Sequence, residues 1–272
     1  MKYIFRLLIL IISTIECEVP TAVVFDLNGV VFHVQRSGTI AFIMSALGPV
    51  NSLRFIATTT TTDWHKEFFE ILTKVPCSDL TIAHYGDNPP LGQGLPMPPI
   101  MIAWQEGKLP SNEILERVHN YITTTEELSD FEKLVFSAIA QIAFDPKIRT
   151  GITCEDSEVT TIIRELRDNN ISVYALTNQD PQNLEELKKK FPETFAHFVG
   201  VVASCDPDIH TCKPHPAIYQ HLNLPPTKTA FVDDQEENTT AAKQLGMQVV
   251  HHQRAPDTRR KLSELGLPVR PT

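Results

Sequence analysis

The sequence has few of the residues that stabilise small disulfide-rich domains or bind zinc. Its 272 residues include only five cysteines and two tryptophans, and the odd, scattered cysteines predict no disulfide framework. Cys205 and Cys212 are close together in the sequence, and we interpret them as two unpaired thiols in a loop. The sequence also has no internal repeat and no Cys/His spacing typical of a zinc site.

Positive charge is scarce as well. The chain has 24 Lys and Arg against 33 Asp and Glu, a formal net charge of −9, and no basic run longer than residues 188–190. Such a short run is typical of a solvated helix face, and the negative net charge argues against a nucleic-acid-binding surface. Apolar residues are plentiful at 42%, enough for one large domain or for a core domain with an insertion.

The N-terminal residues 1–17 have a short basic start, with Lys2 and Arg6, followed by an apolar run over residues 7–15. This run is too short to cross a bilayer but fits the central region of a secretory signal. We therefore expect export or membrane association through this segment, and its removal should not unfold the domain. The alternatives are an extra N-terminal strand or helix, or a start codon placed too early, in which case the protein is cytoplasmic.

The second half of the chain alternates apolar strands with amphipathic helices. Helices are expected after Asp156 and after Asp180, which is a suitable N-cap. The other predicted elements are strands at 171–176, 198–204, 229–234 and 247–252, a matching strand at 21–26, and helices near 216–222, 236–245 and 257–265. This alternation predicts an α/β fold, a Rossmann-like three-layer core whose parallel sheet is covered on both faces.

Between Val34 and about Thr150 the strand-like runs largely vanish. Helices are predicted near 64–74, 111–121 and 126–144, around a Pro- and Gly-rich stretch at 86–100. We interpret residues 35–149 as a helical cap inserted into a core made of residues 18–34 and 150–272, and we expect Trp104 to pack inside that cap. Ligands of open α/β sheets bind at the carboxyl ends of the strands, so a cap over that edge would be a lid.

Polar side chains follow three of the predicted strands. Asp26 ends the first strand, Thr177 follows residues 171–176, and Asp233 and Asp234 end residues 229–234. Lys213 comes from the loop "CKPHP", whose prolines would hold it stiffly. Each residue alone has an ordinary explanation as a cap, a turn residue or a solvated lysine. Because parallel strands end at the same edge of a sheet, we expect these side chains to surround one pocket.

These segments resemble the four motifs of the haloacid dehalogenase-like (HAD) hydrolase superfamily. "FDLNGVVF" resembles the first motif, "LTN" the second, the lysine of "CKPHP" the third and "VDDQEEN" the fourth. The similarity is greatest to the helical-cap branch that includes the N-terminal phosphatase domain of soluble epoxide hydrolases, and "WQEGKLPSNE" (104–113) resembles a recurring segment of that cap. The resemblance covers roughly residues 21–252.

The resemblance implies a phosphatase or phosphotransferase that acts on a small phosphorylated metabolite. Asp26 would attack phosphorus and form an aspartyl-phosphate, which water then hydrolyses. Thr177 would donate its hydroxyl to a phosphoryl oxygen. Lys213 would neutralise charge and hold the nucleophile in place.

The resemblance also implies a Mg²⁺ cofactor. Its ligands would be Asp26, the backbone carbonyl of Asn28, and a carboxylate of the pair Asp233 and Asp234, all hard oxygen atoms of the kind that Mg²⁺ takes. A cation is needed because the negative Asp26 would otherwise repel a phosphate dianion.

Asn28 is a departure from the family pattern. Phosphatases of this family usually have an aspartate there, which protonates the leaving alcohol and later activates water. Asn28 keeps the carbonyl ligand but cannot transfer protons, and general acid–base catalysis contributes about 10²–10⁴-fold. We expect good leaving groups, such as those of acyl phosphates and nitrophenyl phosphate, to be affected little and alkyl phosphates strongly. His33 is a candidate replacement, although a surface histidine is the simpler interpretation.

Two other functions are consistent with the sequence. One is a catalytically silent domain that binds a phosphorylated ligand or a protein partner, and the other is a dehalogenase-like hydrolase. Dehalogenases need no metal and usually lack the paired acids of the fourth motif, so Asp233 and Asp234 favour a phosphoryl site. A domain that had lost its chemistry would also have no physical reason to keep Asp26, Thr177 and Lys213.

Overall fold

The computed structural model describes residues 18–86, 89–92 and 95–270, so the predictions for residues 1–17 lie outside the described residues. The strands in these residues are β1 (Ala22–Phe25), β2 (Phe32–Val34), β3 (Leu91–Gly92), β4 (Leu95–Pro96), β5 (Thr153–Glu155), β6 (Ser172–Thr177), β7 (Gly200–Ala203), β8 (Thr229–Asp233) and β9 (Gln248–His251).

The helices alternate with the strands in the second half of the chain and dominate the region between β2 and β5. They are α1 (Arg36–Thr58), α2 (Trp64–Lys74), α3 (Pro99–Gln105), α4 (Ser111–Thr124), α5 (Asp130–Phe144), α6 (Pro146–Gly151), α7 (Ser157–Asp168), α8 (Pro181–Lys190), α9 (Pro192–Phe195), α10 (Pro216–Gln220), α11 (Glu236–Gln244) and α12 (Ala255–Glu264).

Five strands form a parallel sheet in the order β7-β6-β1-β8-β9. The central strand β1 is buried along its whole length, and Phe25 is in register with Ala175 of β6 and Val232 of β8. Continuous apolar sequence is what a strand covered on both faces requires. The five strands predicted for the core are all present, within two residues of their predicted ends.

Helices cover both faces of this sheet. On one face Val23 and Phe25 pack in a cluster with apolar residues of α7, α8 and α12. On the other face Val24 packs in a cluster that includes Ile218 of α10 and Ala242 of α11. Successive residues of β1 therefore face opposite layers, and the predicted three-layer Rossmann-like core is confirmed.

The helices between β2 and β5 form a cap with its own apolar clusters. Three of the helices were predicted, and they are observed as α2, α4 and α5. Trp104 is buried in this cap as predicted, and its indole Nε1 donates a hydrogen bond to Oγ of Ser111 (3.0 Å). The sequence analysis did not predict helices α1, α3 and α6, the short ribbon of β3 and β4, or the antiparallel pair of β2 and β5.

Helix α1 is the most apolar of the cap helices on its solvent side. Gly48 has φ 70° and interrupts the helix, while Val50 and Leu53 are 80% and 72% exposed. By length and composition alone α1 could cross a membrane. Its buried residues, which include Ile43, pack against α5, as in a cap helix of a globular domain.

Hydrogen bonds connect the cap to residues that follow the core strands. Oγ of Ser111 donates to Asp180 (3.0 Å) and its backbone N–H donates to Gln182 (2.6 Å), both after β6. Oγ of Ser204, the residue after β7, donates to the carbonyl oxygen of Gln105 (2.6 Å). These contacts hold the cap at the carboxyl edge of the sheet.

Candidate active site

Three neighbouring strands place acidic and hydroxyl side chains at the same edge of the sheet. Asp26 follows β1, Thr177 ends β6, and Asp233 ends β8 and is followed by Asp234. Because β6 and β8 flank β1 in a parallel arrangement, the structure brings these sequence-predicted residues to one edge. Asp26, Thr177 and Asp233 are buried.

Lys213 joins the ends of the strands. Its Nζ lies 2.7 Å from Oδ1 of Asp26 and 2.7 Å from Oδ2 of Asp233, and it donates a hydrogen bond of 2.9 Å to the carbonyl oxygen of Leu176, next to Thr177. The lysine is only 1% exposed, so its charge is neutralised within the site. Charged groups are buried at this depth only when paired and hydrogen-bonded.

Hydrogen bonds from neighbouring residues fix both ends of this ion pair. Oδ1 of Asp233 accepts from the backbone N–H of Gln235 (2.9 Å) and from Nδ2 of Asn238 (3.0 Å). Asn178 accepts from the backbone N–H of Lys213 (2.7 Å) and donates to its carbonyl oxygen (3.0 Å). The lysine and its carboxylate partner are therefore held in place before any ligand binds.

Two buried oxygen atoms at this edge have no hydrogen-bond partner among the described residues, namely Oγ1 of Thr177 and Oδ1 of Asp234. Gly29 makes room for the acid, because a Cβ atom there would lie 2.4 Å from Oδ2 of Asp234. Its φ of +85° is also a conformation that favours glycine. Unpaired buried oxygens are rare in proteins and indicate a missing partner.

Burial and neighbouring charges shift the pKa values of the acids and the lysine in this site. Burial raises the pKa of Asp26 to about 7, with contributions from the charges of Asp233 and Asp234, and Lys213 opposes this shift. Burial and Asp233 also raise the pKa of Asp234. Burial alone would lower the pKa of Lys213, but the two acids beside it raise the pKa above its ordinary value. The lysine thus stays charged.

The acids fit a divalent cation. Asp26, Asp233 and Asp234 each offer a carboxylate oxygen, and these oxygens lie within 4.8 Å of one another. Three carboxylates beside the single ammonium of Lys213 leave a net charge of minus two when all are ionised. A small divalent ion that prefers oxygen ligands would balance this charge and give the unpaired oxygen of Asp234 a partner.

Asn28 lies in the turn after Asp26, and its side chain contacts the residue that follows the second motif. Its Nδ2 donates a hydrogen bond of 2.8 Å to Oε1 of Gln179. His33 lies on β2, where its Nε2 is 3.5 Å from Oδ2 of Asp156, the N-cap residue of α7. The structure therefore gives His33 a structural partner outside the cluster of acids, in agreement with the simpler interpretation.

Sequence analysis placed Asn238 one helical turn after the acids of the fourth motif, but it did not identify Asn178 and Gln179 as residues that orient the site. Asn178 and Gln179 directly follow Thr177, yet their partners are 35 and 151 residues away, so no local pattern predicts the contacts. The glycine of "DLNG" was the available signal for Gly29, because tight turns with positive φ favour glycine. Cys205 and Cys212 are both unpaired, as predicted, and both are buried.

Comparison with known proteins assigns the chain to a family. A family model described as haloacid dehalogenase-like hydrolase matches residues 20–246. The sesquiterpene phosphatase astK of Aspergillus oryzae (strain ATCC 42149 / RIB 40) is 30% identical over 116 residues, which are 41% of this chain. The match spans 58% of the length of that relative.

Solved structures share the fold. HAD family enzyme bt-2542 of Bacteroides thetaiotaomicron superimposes with a TM-score of 0.54 at 16% identity, over 87% of this chain and 95% of the enzyme. A HAD-like family hydrolase of Porphyromonas gingivalis gives a TM-score of 0.51 at 20% identity, over 86% of this chain and 91% of that chain.

Proposed function

The chain belongs to the haloacid dehalogenase-like hydrolase family, and we propose that it is a Mg²⁺-dependent phosphatase of small phosphorylated metabolites that works through an aspartyl-phosphate. The observation that carries this proposal is the bridge from Lys213 to both Asp26 and Asp233. Next to this bridge, the oxygens of Thr177 and Asp234 lack partners. A phosphoryl group and a cation are ligands that these groups would bind together.

Asp26 is the proposed nucleophile. Its carboxylate oxygen would form a bond to phosphorus while the bond to the leaving oxygen breaks, and the electron pair of that bond would go to the leaving group. Water would then attack phosphorus while the bond from phosphorus to the Asp26 oxygen breaks, so that the electron pair of that bond restores the carboxylate and phosphate is released. Lys213 holds Oδ1 of Asp26 by a 2.7 Å contact, which supports attack by the other oxygen of the carboxylate.

Thr177 and Lys213 would bind the charge of the phosphoryl group. The free hydroxyl of Thr177 has a hydrogen to donate, and the ammonium of Lys213 stays protonated because Asp233 and Asp26 raise its pKa despite burial. Both groups are in place before substrate binds. Preorganised donors of this kind are worth more in a buried site than in water.

The proposed metal ligands are Asp26, the backbone carbonyl of Asn28, and Asp233 or Asp234. When bound, Mg²⁺ supplies positive charge that compensates the carboxylates and the phosphate oxygens. Without a bound metal ion, burial would keep the pKa of Asp26 at about 7, and a protonated carboxyl is a poor nucleophile. The proposal is supported by bt-2542, which has been solved in complex with magnesium and inorganic phosphate.

The relative from Aspergillus oryzae supports phosphatase activity and suggests a first group of substrates. Because that relative is a sesquiterpene phosphatase, terpenoid phosphates belong in the first test panel beside other small phosphate esters. The cap that would contact the organic part of the substrate is helical, and α1 exposes apolar side chains such as Leu53. This exposure is compatible with a hydrophobic substrate but does not select one.

The purified protein should therefore release phosphate from a panel of p-nitrophenyl phosphate, acetyl phosphate, an alkyl phosphate and a sesquiterpenyl phosphate. We expect turnover with Mg²⁺, loss of turnover with excess EDTA, and faster turnover of the first two compounds because Asn28 cannot protonate a leaving alcohol. The matched control is Asp26→Asn, which removes the attacking carboxylate and keeps the shape of the side chain.

Two other results would replace this proposal. If neither the wild-type protein nor Asn28→Asp turned over any phosphate compound with Mg²⁺, the silent binding domain would be the better description. If the protein released halide from a 2-haloacid without metal, the dehalogenase-like hydrolase would be the better description.

A further inference from the structure

Gln179 has a buried side-chain amide with an unused hydrogen-bond donor. The residue lies two positions after Thr177 and is 3% exposed. Its Oε1 accepts a hydrogen bond of 2.8 Å from Asn28, whereas its Nε2 is buried without a partner among the described residues. A buried donor without an acceptor is unfavourable, so an oxygen atom of a bound ligand would be stabilised at this position.

The backbone of Gln179 is fixed where core and cap meet. Its N–H donates to Oγ of Ser204 (3.0 Å), and this hydroxyl donates to the carbonyl oxygen of Gln105 in the cap (2.6 Å). Asn28 fixes the other end of the side chain. The free Nε2 is therefore held rigidly, beside the turn that contains Asp26 and Asn28.

We propose that Gln179 is a specificity-determining residue whose Nε2 donates a hydrogen bond to the oxygen that leaves phosphorus; this inference rests on the function proposed above. The family resemblance implies that residue 28 lies beside that oxygen, and Asn28 donates a hydrogen bond directly to Gln179. As the bond to phosphorus breaks, its electron pair passes to the leaving oxygen. An amide N–H stabilises the resulting negative charge but transfers no proton.

This arrangement selects substrates by the basicity of the leaving group. A neutral donor lowers the free energy of a leaving oxyanion, but an alkoxide also needs a proton, which neither Asn28 nor Gln179 supplies. The site therefore suits phosphate esters and anhydrides whose leaving groups are weak bases. Gln179 would contribute most where the charge on the leaving oxygen is greatest, as with the more basic leaving groups of such a series.

The test is a series of aryl phosphates that differ in the pKa of the leaving phenol, assayed with Mg²⁺ in the wild type and in Gln179→Met. Methionine keeps the length of glutamine and has no N–H. We expect kcat/KM to fall about 10–100-fold for the most basic phenol, as for loss of one hydrogen bond to a charged group, and less than about threefold for the most acidic one. The slope of log kcat/KM against pKa should therefore become steeper.

Gln182→Met is the matched control. Oε1 of Gln182 accepts a hydrogen bond of 2.6 Å from the backbone of Ser111 in the cap, so this substitution also removes an amide contact near the site. We expect it to change kcat/KM by the same factor for every phenol. Gln179→Asn is a second test variant, because it stays polar but withdraws the donor by one methylene, and its slope should also steepen.

An active wild type whose slope is unchanged in Gln179→Met and Gln179→Asn would overturn this inference alone and reduce Gln179 to a support for Asn28. An inactive wild type toward every aryl phosphate would overturn the proposed function, and the inference with it. If Gln179→Met shows no cooperative unfolding transition, the slope measured for Gln179→Asn decides whether the inference holds.

Discussion

Glu106 in the cap and the acids at the edge of the sheet are both buried carboxylates, but their surroundings differ. Glu106 is fully buried, and its oxygens accept hydrogen bonds from the backbone of Ala83 (3.1 and 3.2 Å), from the hydroxyl of Tyr85 (2.5 Å) and from Nζ of Lys108 (2.7 Å). At the sheet edge, the ammonium of Lys213 contacts two of three clustered carboxylates, those of Asp26 and Asp233, and Oδ1 of Asp234 has no partner in the described residues.

This difference separates a structural charge from a functional one. We call the first group the Glu106 cluster (Glu106, Tyr85, Lys108) and the second the Asp26 cluster (Asp26, Asp233, Asp234, Lys213). A carboxylate whose oxygens are all paired needs no ligand to remain ionised and buried. One with unpaired oxygens and excess negative charge is stabilised by a bound cation.

The Glu106 cluster also extends to the active-site loop. The hydroxyl of Tyr85 accepts a hydrogen bond of 2.8 Å from the backbone N–H of Cys212, the residue before Lys213. The imidazole Nδ1 of His210 donates to the carbonyl oxygen of Glu106 (2.6 Å). The Glu106 cluster thus helps to hold the cap against the loop that carries Lys213 of the Asp26 cluster.

The largest effect is expected for Asp26→Asn. The substitution removes the only carboxylate proposed to attack phosphorus, so turnover of every phosphate compound should fall below detection. It also removes one negative charge from a site where three carboxylates lie beside a single ammonium. In the absence of metal, the variant should therefore unfold at the same temperature as the wild type or at a higher one. Steady-state phosphate release and thermal unfolding measure the two effects. Residual turnover above about one-hundredth of the wild-type value would place the nucleophile elsewhere.

Lys213→Met should have the next largest effect. Turnover should fall by about 10²–10³-fold, as for removal of one preorganised donor. Without Mg²⁺ the free energy of unfolding should fall by about 3–5 kcal/mol, because Asp26 and Asp233 lose their buried partner. Chemical denaturation with and without Mg²⁺ measures this effect, and the ion should restore part of the loss.

Lys108→Met is the matched control for that lysine. The ammonium of Lys108 pairs with Glu106, but its side chain is 26% exposed, so its loss should cost less stability and Mg²⁺ should not compensate for it. Equal compensation in both variants would show that the ion stabilises the protein at a place other than the Asp26 cluster.

The two clusters were predictable from the sequence to very different extents. Asp26, Thr177 and Asp233 end apolar runs that are recognisable as strands, and parallel strands bring such ends together. Glu106 follows the end of α3, where no such rule applies, and glutamate is normally exposed. Its burial depends on Tyr85 and Lys108 from a long loop and a turn, which no local pattern brings together.

The fold shows the same division. Core strands were located within two residues because continuous apolar sequence and strand length determine them. Helix α1 was missed because Gly48 interrupts it and because its solvent side, with Val50 and Leu53, is as apolar as its buried side. The helical period is therefore weak. Strand β2 was missed because it has three residues and its partner β5 is distant in the sequence.

Asn28→Asp should have an intermediate effect, and only on the chemistry of the Asp26 cluster. An aspartate can protonate a leaving alcohol, so turnover of alkyl phosphates should rise by up to about 10²-fold. Acetyl phosphate should change little, because its leaving group departs without a proton. The ratio of kcat/KM for the two substrates measures the effect, and the double variant Asp26→Asn with Asn28→Asp should be inactive. An equal rise for both substrates would exclude a proton-transfer role for residue 28.

Glu106→Gln should have the smallest effect on turnover and a clear effect on stability. Glutamine keeps the shape but cannot accept hydrogen bonds at both ends, so Tyr85 or Lys108 loses its acceptor and the free energy of unfolding should fall by about 1–3 kcal/mol. Turnover should change by less than about tenfold, through the hydrogen bond from Cys212 to Tyr85. The increase in melting temperature on addition of Mg²⁺ should equal that of the wild type, because the Asp26 cluster is intact. The exposed pair of Glu127 with Lys74 gives the control Glu127→Gln, which should leave the melting temperature nearly unchanged because exposed ion pairs contribute little to stability. A loss of the Mg²⁺ effect in Glu106→Gln would mean that the two clusters are not independent.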